Sequence, residues 1–227
     1  AGTVTAEEFR SPKLDDWGAL AVYNGVGEGF DYFVSGHRGP STYPVLRVQL
    51  PGLLVMEYPT ATTLSGGFTA TVEAWEFHGE ASYQDTHSQR DQDFIKYVVG
   101  CAYRETDDLA PLVGLEEIMP ILEWAREWVS LRQKDPEYLV DSSRTRPFPN
   151  SFIGRVLLKR DDELSYVVAA TYNNRYEDWN SLVGLEYKPD DNMTFSASLA
   201  GFWGPSATQL GRWRRNNFLH IGLKRKF

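Results

Sequence analysis

The second half of the chain alternates. "NSFIGRVLLKR" (150–160), "LSYVVAATYNNR" (164–175), "WNSLVGLEYKP" (179–189), "NMTFSASLAGFWG" (192–204) and "NNFLHIGLKRKF" (216–227) follow one another, most of them separated by acidic or Asn-rich turns. A period of two sends successive side chains to opposite faces of an extended strand, and short polar turns are what hairpins require. In 192–204, Phe195, Ala197, Leu199, Gly201 and Trp203 share one face, opposite Thr194, Ser196 and Ser198. In 179–189, Val183, Leu185 and Tyr187 oppose Asn180, Gly184 and Glu186. In 164–175, Tyr166, Val168, Ala170 and Tyr172 oppose Ser165, Thr171 and Asn173, with Val167 and Ala169 blurring the polar side. The pattern predicts an all-β, antiparallel fold.

The first half repeats the scheme less tidily. In "AWEFHGEASYQD" (74–85), Trp75, Phe77, Gly79, Ala81 and Tyr83 oppose Glu76, His78, Glu80 and Ser82. Three ionisable side chains on one strand face would be costly in a dry core and suit a water-filled lumen. Segments 62–72, 93–104, 29–37 and 16–25 also read as strands. The stretch 43–61 carries three prolines and reads as a broken or edge strand, or one entering a loop. The stretch 114–133 has helix-forming composition, but Pro120 opposes a helix. A strand is predicted over 117–128, followed by a long loop over 134–150. The total is about twelve strands in a single domain, 1–227, with 1–15 an N-terminal extension or a truncated start.

An apolar face with aromatics at its ends, opposite a face of small polar residues, fits a strand between lipid and a wet lumen. Soluble sandwiches and barrels alternate too, so the pattern alone leaves both open. No apolar run is long enough for a transmembrane helix, which does not bear on a barrel. Mean hydropathy is −0.41, as alternating strands allow. Aromatics make up 14% of residues, enough to supply interfacial belts. The net charge of −8, with no basic patch beyond the region near the C-terminus, argues against nucleic acid as a partner. Cys101 is the only cysteine, so no internal disulfide and no Cys-rich metal site can form. No signal peptide is visible at the start of the sequence.

The chain ends "HIGLKRKF". His220, Gly222 and Phe227 resemble the recognition signal on the last strand of bacterial outer-membrane barrels: a polar residue, a Gly two later, and a C-terminal Phe. Arg225 stands where that signal usually has an aromatic or aliphatic residue. The resemblance implies insertion by the outer-membrane assembly machinery. "FDYFVSGHRGPSTYPVL", "EYPTATTLSGGFTATVEAWEFHGEASY", "DFIKYVVGCAYR" and "GRWRRNNFLHIGLKRKF" are similar in order and spacing to a family of proteobacterial outer-membrane proteins, the DUF1302-type and related porin-like barrels. Members of that family are generally longer. This implies an antiparallel transmembrane β-barrel in the outer membrane, and the alternative that this chain is the C-terminal part of a larger one.

Other chemistry is thin. None of the four histidines stands in a metal-binding spacing. His37 with Ser41, and His87 with Ser88, lack a nucleophile elbow or similar context, so no catalytic residue is predicted. "GVGEG" (25–29) lacks the Lys-Ser/Thr ending of a phosphate loop and reads as a hairpin turn. The acids of "RDD" and "DDNM" read as turn residues. No cofactor and no metal is expected. Candidate lumen-lining residues are Glu76, His78, Glu80, Glu123, Arg155, Lys159 and Glu186. The first three share one strand face, either as a hydrated network or as a site for a cation or polar solute. Candidate belt residues are Trp17, Trp75, Tyr83, Tyr166, Tyr172, Trp179, Tyr187 and Trp203. The sequence thus predicts an outer-membrane channel or passive transporter for small solutes, with the bilayer as its surroundings. The alternative is a structural or partner-holding barrel subunit of a larger cell-envelope complex. A soluble lipid-binding barrel would need the reverse orientation of 74–85.

Overall fold

The computed structural model describes residues 4–7, 17–41, 45–50, 53–86, 91–132, 137–139 and 148–226. Its strands are, in chain order, β1 (Val4–Glu7), β2 (Ala19–Gly27), β3 (Phe30–Pro40), β4 (Val45–Leu50) and β5 (Leu53–Glu57). They continue as β6 (Thr60–Val72), β7 (Trp75–Asp85), β8 (Asp93–Tyr103), β9 (Glu117–Leu131) and β10 (Tyr138–Leu139). The last five are β11 (Asn150–Lys159), β12 (Leu164–Asn173), β13 (Asp178–Asp190), β14 (Met193–Trp203) and β15 (Phe218–Arg225). One short helix, α1 (Leu109–Leu112), lies between β8 and β9. Eleven strands form one sheet in the order β15-β14-β13-β12-β11-β9-β8-β7-β6-β3-β2.

The chain divides into two compact units. The first comprises Ala1–Phe68, Gly79–Tyr97 and Glu127–Ser143; the second comprises Thr69–His78, Val98–Arg126 and Arg144–Phe227. In the second unit the hairpins are regular. Trp179 faces Trp203, Val183 faces Leu199 and Tyr187 faces Phe195 across β13 and β14. Val168 faces Val183 across β12 and β13, and Leu199 faces Leu219 across β14 and β15. Each predicted face therefore stays in phase from strand to strand, as a period of two demands.

The turns are built by their own side chains. Asp161 Oδ1 accepts hydrogen bonds from the backbone N–H groups of Glu163 (3.0 Å) and Leu164 (2.7 Å). Asp190 Oδ1 accepts from Asn192 N–H at 2.8 Å, and Asn173 Oδ1 from Arg175 N–H at 3.1 Å. These are the Asx turns that make Asp and Asn frequent between strands. "GVGEG" forms the β2–β3 turn, where Gly29 takes φ 68°, a left-handed value open to glycine.

In the second unit, 73–74, 160–163 and 191–192 are tight turns on the side where β15 finishes, where 104–116 is longer and holds α1; 174–177 is tight and 204–217 long.

Four stretches refine the reading of the sequence. The helix-like stretch is strand β9, running to Leu131, three residues beyond its predicted end. Pro120 stands within it, opposite Val156 of β11, and gives up one backbone donor there. The broken stretch 43–61 contributes β4 and β5, which pair with each other outside the large sheet. The opening segment carries β1, parallel to β5, where no strand was expected, and β10 interrupts the predicted 134–150 loop by pairing with β4. This four-stranded sheet, β1-β5-β4-β10, belongs to the first unit. Glu57, 7% exposed, holds its middle: Oε1 accepts from Arg47 Nη1 at 2.8 Å and Oε2 from Tyr138 Oη at 2.9 Å.

Candidate functional site

Burial inverts the order of a water-soluble protein. The largest fully buried side chains are polar: Thr86, Asp178 and Ser151. Large apolar residues lie outside, among them Leu199 (59% exposed) and Ile221 (75% exposed). Contiguous exposed apolar surface on this scale marks contact with lipid or a partner. It lies on the strand faces the alternation selected: Val168, Val183, Leu199, Leu219 and Ile221 are all exposed.

Aromatic residues edge that face in the second unit. Register places Trp124, Phe152, Tyr172, Trp179 and Trp203 in one unbroken row over β9, β11, β12, β13 and β14. The Trp179 and Trp203 rings stack at 3.9 Å. Trp124 donates its indole N–H to Asn150 Oδ1 at 2.9 Å, the wet end of an otherwise apolar ring. Toward the other end, Tyr187 pairs with Phe195, Tyr166 lies opposite Leu158 and Leu185, and Trp75 packs on Tyr103 at 4.8 Å. Tyr83 in β7 and Trp17 before β2, in the first unit, are both exposed. Trp124, Phe152, Tyr103 and Phe195 were not among the belt candidates read from the sequence. Each strand shows its own alternation, but only pairing register reveals which positions fall in one row.

The opposite face carries the polar candidates. His78 of β7 and Glu123 of β9 meet over the strand between them: His78 Nε2 lies 3.0 Å from Glu123 Oε1. Glu76 Oε1 stands 4.0 Å from the other ring nitrogen, Nδ1. Gly100 of β8 makes room for the contact. A Cβ there would sit 2.5 Å from His78 Nε2 and 2.8 Å from Glu123 Cγ, closer than real Cβ contacts allow. This role of Gly100 is not readable from its own strand, because it depends on residues from two other strands.

The other candidates do not join this group. Lys159 is held at the β11–β12 turn by Asp162 (2.6 Å) and Glu116 (3.2 Å). Glu186 pairs with Lys188 at 2.7 Å along β13. Glu80 and Arg155 are exposed and make no ion pair among the described residues. A further pair, Lys96 with Glu127 at 3.3 Å, joins β8 and β9 in the first unit. His220 stands opposite Ser198, and Gly222 opposite Ser196. Phe227, His87 and Ser88 lie outside the described residues.

Two carboxylates at the turn-rich end are held below their ordinary titration range. For Glu105, burial pushes upward, but backbone N–H groups outweigh it. Its Oε1 accepts from Asp107, Asp108 and Leu109 (3.1, 2.6 and 2.9 Å) and its Oε2 from Ala110 (2.6 Å), at the start of α1. For Asp162 the cause is the hydrogen bond and charge of Lys159. Among the described residues no group of His, Cys, Asp and Glu side chains has the geometry to hold a metal ion. The two nitrogens of His78 point to different carboxylates, so those three residues do not converge on one centre.

No family model matches the chain, and no curated protein does. Solved structures similar to it include two porins. A KdgM porin is 11% identical with a TM-score of 0.40, over 92% of this chain and 91% of that one. A KdgM porin in complex with disordered oligogalacturonate is 10% identical with a TM-score of 0.41, over 94% of each chain. At these scores neither likeness carries a functional argument.

Proposed function

We propose that this chain forms an outer-membrane β-barrel that acts as a channel or passive transporter for small solutes. The observation that carries the reading is the inverted burial: large apolar side chains outside, ionisable and small polar ones on the opposite face of the same strands. The aromatic row adds dimension. Eight residues separate Trp179 from Tyr187 on β13, about 26 Å along an extended strand and roughly 20 Å along the normal at a typical barrel tilt. An outer-membrane barrel has an apolar band of about 25 Å edged by aromatics. The tight turns 73–74, 160–163 and 191–192 of the second unit fit short periplasmic turns, with β15 ending on that side.

A bacterial barrel of this kind has an even number of antiparallel strands, and the described residues contribute eleven to the sheet. His220, Gly222 and Phe227 serve as the assembly signal. Rings of charge set the sign preference of a pore. The candidate acids of the polar face are Glu76, Glu80, Glu123 and Glu186 and its candidate bases Arg155 and Lys159, with Lys188 matching the charge of Glu186.

The test is planar-bilayer recording on purified, refolded protein. Discrete conductance steps are the expected result. A folded, membrane-inserted protein that never conducts would remove the channel reading and leave a partner-holding barrel. Failure to enter detergent micelles or lipid would remove both.

A further inference from the structure

We infer that Arg212, Arg214 and Arg215, in the connection between β14 and β15, bind the phosphate groups of outer-leaflet lipid; the inference rests on the membrane reading above, not on conduction. The chain carries a net charge of −8, yet residues 204–217 contain three arginines and no acidic side chain. All three arginines are exposed. None makes an ion pair among the described residues. In the adjacent 174–177 turn, Arg175 and Glu177 offset each other in charge. Like charges this close in sequence favour an anion among them. The guanidinium fork matches a phosphate group, which it grips through two parallel N–H···O bonds.

The segment that carries them is anchored. Asp178, fully buried, accepts the Leu210 N–H on Oδ2 at 2.8 Å. Thr208 Oγ1 accepts the Gly211 N–H at 3.2 Å. The Arg212 N–H then donates to Thr208 O (3.1 Å), Arg214 N–H to Gly211 O (3.2 Å) and Asn216 N–H to Trp213 O (2.7 Å). These bonds fix the backbone and leave the guanidinium groups of Arg214 and Arg215 outside. Position selects the ligand. The segment follows Trp203, whose ring stacks on Trp179 at the edge of the apolar face. It leads into Phe218, next to Leu219 and Ile221 on that exposed face. Arg215 stands three residues before Phe218, at most about 10 Å of extended chain. Trp213 is exposed too, with the Arg212 guanidinium 5.9 Å from its ring centre. Basic residues and an exposed indole just beyond a membrane-spanning strand suit an anionic lipid surface. On the proposed topology β15 ends on the periplasmic side, so this connection lies outside, where the leaflet is built of phosphorylated glycolipid.

Native mass spectrometry of the refolded protein in detergent micelles, supplied with diphosphorylated lipid A, counts the lipid retained. The wild type should retain it. The triple variant Arg212→Gln, Arg214→Gln, Arg215→Gln should bind it at least about tenfold more weakly, since each arginine near an anionic surface contributes several-fold. Heat-modifiable gel mobility checks that the variant folds. If it does not, the double variant Arg214→Gln, Arg215→Gln leaves the contacts of Arg212 with Gln209 and Trp213 in place and should still lose affinity. Equal binding by wild type and a folded variant overturns the inference. Equal retention of dephosphorylated lipid A overturns it too, as does inorganic phosphate binding as tightly as lipid A, which would assign the arginines to a soluble anion. In each of these cases the protein is in the micelle and the membrane reading stands. A protein that never enters micelles or lipid defeats the membrane reading, and the inference falls with it.

Discussion

Trp179 and Trp203 stand directly opposite each other on β13 and β14, with their rings stacked 3.9 Å apart. Neither is buried: they are 37% and 38% exposed. Stacked tryptophans at the edge of an exposed apolar face are poorly placed for water and well placed for a membrane interface, where an apolar ring body meets a wet rim. Replacing both by Ala should weaken insertion into vesicles without unpairing the hairpin. Tryptophan-free control spectra and vesicle flotation would read this; unchanged flotation would count against an interfacial role.

The face between the aromatic rows should reject charge. Leu199→Arg places a cation mid-strand on the apolar face, at a cost of about 2–4 kcal/mol if that position lies at the bilayer midplane. Ser198→Arg, one residue away on the polar face, should cost far less. Urea titration of the protein folded in vesicles, followed by heat-modifiable gel mobility, compares the two. Equal costs would contradict the assignment of faces.

Gly100 should tolerate no side chain. Gly100→Val would force His78 and Glu123 apart, and overpacking of this kind costs about 1–3 kcal/mol. A Gly100→Ala variant with unchanged stability and an unchanged His78 ring spectrum would show that the contact accommodates a Cβ after all.

Glu105 links pH to the β8–β9 connection. Its carboxyl is held below the ordinary glutamate range by the backbone N–H groups it accepts from, so the folded state binds that proton less readily than the unfolded chain. The stabilisation is present above the ordinary glutamate range and lost as pH falls through the lower, folded-state value. Hydrogen-exchange protection of the Asp108, Leu109 and Ala110 amides should hold at neutral pH and fall in acid. Glu105→Gln should weaken it at neutral pH. Protection that ignores both changes would mean the four bonds do not order α1.

On the proposal that Phe227 acts with His220 and Gly222 as an assembly signal, deleting Phe227 should lower the amount of folded protein in the outer membrane. Heat-modifiable mobility of membrane fractions measures this, and wild-type levels would argue that the terminal segment is not read.

What was legible in the sequence, and what was not, follows from range. Strands β11 to β15 were readable because alternation is local and their turns carry Asp or Asn at the positions that cap them. Strand β9 was harder: Glu, Leu, Ala and Arg favour a helix locally, and pairing with β8 and β11 overrides that preference. The small sheet was missed because β1, β4, β5 and β10 are short and come from distant parts of the chain. At the candidate site, His78 and Glu76 were visible as neighbours on one strand face. Their meeting with Glu123 was not, since 45 residues separate His78 from Glu123 and a glycine on a third strand makes it feasible.

The most direct test of the central claim is cysteine accessibility along β14 in vesicle-inserted protein, in a Cys101→Ala background. Single cysteines at Ser196, Ala197, Ser198 and Leu199 would be challenged with a membrane-impermeant thiol reagent. The account predicts labelling at Ser196 and Ser198 and protection at Ala197 and Leu199. Labelling of the Ala197 and Leu199 positions with protection of the serine positions, or equal labelling of all four, would contradict it.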